Sequence, residues 1–206
     1  MAVGLALLGP AWRRPVATAR TVAAIVALGV LTAPLLSATL LEPTRIAAAY
    51  PSIPMPDFHR LNIWQFTTER IAERPLLGWG MDSARIIPGG NETVRLILPS
   101  ADGARDSEMA RMPLHPHNVS LQWWLELGLP GALLGAGLLV AVILACTALP
   151  AGAPVAVAAA GAATLVLMVS YGAWQSWWLG TLWLLAAAFA ALPPSRRRAG
   201  TSGTLA

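Results

Sequence analysis

The chain has 206 residues, 56% of them hydrophobic and 12% charged, with a mean hydropathy of +0.59, which excludes an ordinary soluble domain and points to a membrane protein. All fourteen basic residues are arginine. They fall at Arg13, Arg14 and Arg20, scatter among acids from Arg45 to Arg111, and recur at Arg196, Arg197 and Arg198, so the net charge of +4 builds no stripe suited to nucleic acid.

Residues 1–8 are apolar but too short to cross a bilayer, and Trp12-Arg13-Arg14-Pro15 follows them, the reverse of the order in a signal peptide. This start reads as the end of a helix, with residues 1–20 a cytoplasmic segment and the chain the C-terminal part of a larger polytopic protein. Residues 21–41 are uncharged over about twenty positions, long enough for a first transmembrane helix. Pro34 within it is tolerable where a neighbouring helix satisfies the freed carbonyl.

Residues 42–114 form a long polar loop, expected on the outer face. Pro51-Ser52-Ile53-Pro54-Met55-Pro56 opens it in an extended or turning form. Asp57 is then placed to cap a helix running to Glu73, with Arg60, Trp64 and Ile71 near one face, and Pro75 stops it. Gly78-Trp79-Gly80 predicts a tight turn, as does Pro88-Gly89-Gly90-Asn91. Residues 92–112 read as a short helix with a loop of lid-like length.

Residues 115–192 predict a membrane domain of three further helices. A helix from Asn118 sets Asn118, Gln122 and Glu126 on one polar stripe, interrupted at Leu129-Pro130-Gly131. Residues 132–149, 154–171 and 177–192 are apolar runs, the second rich in alanine and glycine that permit close contact. Residues 193–206 make a cytoplasmic tail. The expected fold is therefore all-α and polytopic, with about four transmembrane helices, both ends inside and the long loop outside. Cys146, the single cysteine, excludes an internal disulfide and a cysteine-built metal site.

Three ordered motifs stand out. Arg60 and Trp64 come first, then Arg74-Pro75-Leu76-Leu77-Gly78-Trp79-Gly80, then His115-Pro116-His117-Asn118 with Leu121-Gln122, Leu127-Gly128 and Gly131 following. Together, over residues 57–140, they resemble the O-antigen ligase and O-antigen polymerase family of bacterial envelope glycosyltransferases. That resemblance implies an inner-membrane enzyme with its active face outward. Such an enzyme passes a glycan from a polyprenyl diphosphate lipid to a hydroxyl on lipid A-core, another glycan or a protein, without metal or cofactor.

On this reading His117 matches the family's histidine and is the expected base, since an imidazole with a pKa of about 6.5 is largely neutral outside the cell. Arg60 is the expected diphosphate partner, because a guanidinium offers planar donors and stays charged; paired with Asp57 or Glu69, it is only a helix-surface cation. Asn118, Gln122 and Trp64 are expected to contact substrate. The family also uses an arginine from an earlier outer loop; Arg85, Arg95 and Arg111 are the candidates to replace it, and a missing N-terminal half is the alternative source. His115 lies outside the motif's core, so its loss is expected to be mild. Three histidines in one loop, His59, His115 and His117, raise a zinc site, but the His-Pro-His spacing is not a common zinc pattern. A transporter-like relative serving inorganic carbon uptake and a non-catalytic assembly remnant remain rival functions.

Overall fold

The computed structural model describes residues 2–98, 103–149 and 151–191. The tail with Arg196, Arg197 and Arg198 lies outside the described residues. Helix α1 (Ala2–Arg13) meets α2 (Pro15–Leu40) at Arg14, where Pro15 starts the second helix. The helix read from residue 21 onward thus begins earlier. Helix α3 (Pro43–Ala49) is short, capped by the Glu42 carboxylate on the backbone N–H groups of Thr44 and Arg45. Helix α4 (Met55–Glu73) follows the proline-rich turn and carries Asp57 in its first turn, where a carboxylate suits the helix dipole.

Strands β1 (Thr93–Leu98) and β2 (Arg105–Ala110) pair antiparallel, Thr93 opposite Ala110 and Leu98 opposite Arg105. This hairpin corrects the purely helical expectation, and it occupies the segment read as short helix and lid. Its cause is packing: Leu96 and Leu98 alternate onto one face and are buried against Ala47 and Phe58. The partner strand Arg-Asp-Ser-Glu-Met-Ala has little strand preference of its own.

Helix α5 (Val119–Ala145) contains one non-helical residue, Gly128 at φ 63, ψ −155. Helices α6 (Ala153–Val169) and α7 (Ser176–Ala190) complete the chain. Two segments, α2 and Val119–Ala148, are long and apolar enough to cross a membrane, while α6 and α7 are shorter apolar helices. α2 packs along α5 through Val30, Ala132 and Ala136, with the Trp124 indole donating to the Val30 carbonyl at 2.9 Å. α1 lies against α6, where Leu7 meets Gly161.

Candidate functional site

The break in α5 is a docking point. Breaking a helix frees carbonyl groups that need donors, and the Pro75–Gly80 turn supplies them. Trp79 N–H donates to the Leu125 carbonyl at 2.8 Å and Gly80 N–H to the Glu126 carbonyl at 2.9 Å, while Leu129 N–H donates back to Pro75 at 2.9 Å. Backbone meets backbone so closely that a Cβ on Gly78 would sit 2.5 Å from the Glu126 carbonyl, and one on Gly128 would sit 2.4 Å from that of Leu76. Both residues also have positive φ, so only glycine fits. Two of the three sequence motifs are thus halves of one joint.

Glu126 locks that joint from inside. Fully buried, its carboxylate accepts from Asp82 N–H at 3.0 Å, Ala84 N–H at 3.4 Å, the Gln122 amide at 3.0 Å and the Trp174 indole. Burying a carboxylate is costly unless its oxygens are satisfied, and here donors come from α5 itself, from the 78–84 turn and from the α6–α7 connection. The polar stripe of Gln122 and Glu126 is therefore an internal strut rather than an open path. Gln122, 2% exposed, spends its other end accepting from Ala173 N–H at 2.7 Å. Asn118 heads the stripe as N-cap of α5, accepting from Leu121 N–H at 3.1 Å.

Above this strut lie the histidines. Trp64, on α4, donates its indole N–H to the Pro116 carbonyl at 2.7 Å, which ties the histidine loop to the helix. Arg60, four residues earlier, projects from the same face, bonds Asp57 at 3.1 Å, and is 41% exposed at its side chain. His117 Nδ1 lies 3.0 Å from the Ser170 carbonyl. A carbonyl only accepts, so Nδ1 carries the proton and the neutral ring keeps its lone pair on Nε2. Burial lowers the His117 pKa; the Ser170 bond raises it, and the charges of Arg60 and His59 lower it further. His115 is more strongly depressed, to about 4, by burial first and then by His117 and Arg85.

Of the other expected contact residues, Arg85 pairs with Asp82 at 2.9 Å and lines a small cleft with His115, Gly172 and Gln175. Arg95 pairs with Asp106 across the hairpin. Arg111 reaches Glu92 at 3.5 Å and lies over the Phe66 ring, 5.3 Å from its centre. Arg85 is thus beside the histidines, whereas Arg95 and Arg111 serve the hairpin. His59 turns to the Ala110 carbonyl at 2.7 Å. Among the described residues no three His, Cys, Asp or Glu side chains gather to hold a metal.

A groove of about 410 Å³ opens between α1, α2, α5 and α6. Apolar side chains such as Ile25, Ala33 and Leu165 line it, and Asn118 and Ser120 stand on its wall. The sequence offered no sign of this groove, nor of the role of residues 170–175, whose partners on α5 lie some fifty positions away.

A family model described as O-antigen ligase matches residues 1–135. The chain belongs to that family. The O-antigen ligase match takes in α1 to α4, the hairpin and the break in α5, including every motif residue named above, but stops short of the 170–175 connection. Among curated relatives, a protein of Rickettsia conorii, provisionally named a polysaccharide ligase, is 30% identical over 78% of this chain and 39% of its own length. A second from Rickettsia prowazekii, named likewise, is 30% identical over 70% of this chain and 35% of its own length. The chain thus spans under two fifths of the length of these relatives. No solved structure matches.

Proposed function

We propose that this chain carries the reacting histidine of a metal-independent glycan transfer at the outer boundary of the bacterial inner membrane. The donor is a glycan on a polyprenyl diphosphate, and the acceptor is a hydroxyl of lipid A-core, another glycan or a protein. The observation that carries the reading is the His117 ring: its proton is committed to Ser170 through Nδ1, which leaves Nε2 as a base of fixed tautomer. The acceptor hydroxyl gives its proton to Nε2 as its oxygen bonds to the anomeric carbon. The bond from that carbon to the diphosphate breaks, and polyprenyl diphosphate leaves with the electron pair. Arg60 stabilises the charge gathering on the leaving group, and Arg85, which lines the cleft beside His115, is a second cation for it.

Asn118 stands where the apolar groove reaches the histidine loop, so a polyprenyl tail in the groove would bring its diphosphate toward Arg60. Trp64 and Gln122, each engaged by protein partners, act by holding the loop and the 170–175 connection. The test is replacement of the chromosomal copy in the producing cells, with ligated glycan followed on gels of their envelopes. His117→Ala is expected to abolish ligation at normal protein abundance; unchanged ligation would remove His117 as the base. Loss of ligation on chelation, with zinc bound stoichiometrically to the purified protein, would overturn the metal-independent reading.

A further inference from the structure

His117 sits at φ 55, in the left-handed region that L residues rarely adopt. For a residue with a side chain that conformation costs about 1–3 kcal/mol unless its surroundings hold it. The neighbours limit what can do so. Pro116 has no N–H to donate, and its carbonyl is already taken by Trp64. What remains is His115: its Nδ1 accepts the His117 backbone N–H at 3.1 Å. This is a side chain accepting from the N–H two residues on, the geometry by which Asn and Asp build an Asx turn.

The His115 ring is itself fixed. It is 7% exposed, its Nε2 lies 3.2 Å from the side-chain amide of Gln175, and it packs against Gly172 so tightly that a Cβ there would sit 3.0 Å from the ring. Its centre is 4.3 Å from that of His117, with the rings tilted by 56°. Burial keeps it uncharged down to about pH 4; with Nδ1 accepting from His117, the single ring proton sits on Nε2, and the Gln175 amide meets it with its oxygen, the two ends of an amide being interchangeable in shape.

We propose that His115 is a positioning residue for His117: its buried Nδ1 holds the His117 backbone left-handed, and that turn is what aims the His117 ring at the Ser170 carbonyl. On this proposal the loss of His115 is felt at His117 itself, whereas the sequence alone led to the expectation of a milder effect. This rests on the reading of His117 as the base, but the turn itself can be read without any substrate.

The test compares His115→Ala, His115→Asn and His115→Gln in the full chain. Asn places Oδ1 where Nδ1 stands; Gln carries its acceptor one bond too far, and Ala has none. In detergent micelles, ¹⁵N and ¹³C resonances of the His117 ring report its tautomer and its titration. The wild-type chain and His115→Asn should show the proton on Nδ1 and a pKa below 6.5, whereas Ala and Gln should show mixed tautomers and a titration moved toward the free value. In the producing cells, Asn should retain ligation, while Ala and Gln lose about 10²-fold, the scale of a misplaced reacting group. A His117 ring unchanged in His115→Ala, or one as disturbed in His115→Asn as in His115→Ala, would overturn the proposal. Should His117→Ala ligate normally, the base reading falls while the resonances still decide the turn.

Discussion

At the residue scale, His117 meets opposing demands, since a base must be neutral yet held in one orientation. Burial serves the first by lowering its pKa below 6.5, and the Ser170 carbonyl serves the second although that bond alone raises the pKa. The sign of the pH dependence follows. The neutral ring is the active form, so ligation should be full above pH 6.5 and fall as pH drops through a midpoint below 6.5; an acid limb centred above that value would contradict the assignment. His117→Ala should cost about 10² to 10⁴-fold in rate, the usual worth of a general base. At Arg60, Lys keeps the charge but loses the planar fork, so Arg60→Lys should restore little of the activity that Arg60→Ala removes. Equal ligation by Arg60→Lys and the wild-type chain would mean that a point charge suffices.

At the element scale, the joint between the Pro75–Gly80 turn and α5 sets the height and rotation of everything above it. The turn caps carbonyls freed at Gly128, and Glu126 clamps the turn to Trp174. Overlap with backbone cannot be relieved by a rotamer change. Gly78→Ala and Gly128→Ala should therefore each destabilise by about 2–4 kcal/mol, combining backbone strain with overpacking. Gly137→Ala is the control, because nothing lies within 4 Å of its Cβ position and alanine favours a helix by up to about 1 kcal/mol. Thermal unfolding in detergent should separate the three variants; similar midpoints for Gly128→Ala and Gly137→Ala would show that the break is free to relax.

At the scale of the whole molecule, the histidine loop, the C-terminal end of α6 and the N-terminal end of α7 meet at one level through His117, Ser170 and Gln175. We expect α6 and α7 to run back and forth through the bilayer as the third and fourth spans, with the 42–114 loop outside. At 15 residues, α7 rises only about 22 Å, short of a hydrocarbon core of about 30 Å. In a Cys146→Ser background, a cysteine at Asn91 should react with an impermeant maleimide in intact cells, and one at Arg14 only after permeabilisation. The opposite pattern would invert the orientation.

What the sequence by itself determined is local. Uncharged length marked α2, prolines bracketed α4, Asn118 announced the start of α5, and three ordered motifs carried the resemblance to the family. Each of these signals acts within a few residues, through helix period, cap or fixed φ. Only the tertiary structure decided the rest, because the deciding partners are far apart in sequence: 44 positions between Asp82 and Glu126, 53 between His117 and Ser170. The hairpin illustrates the same limit, since Arg105–Ala110 becomes a strand only where Thr93–Leu98 lays its apolar face on Phe58. Glu126 shows it most sharply. The sequence places it only on a polar stripe, and it is four donors, three of them more than forty positions away on Asp82, Ala84 and Trp174, that make it a strut.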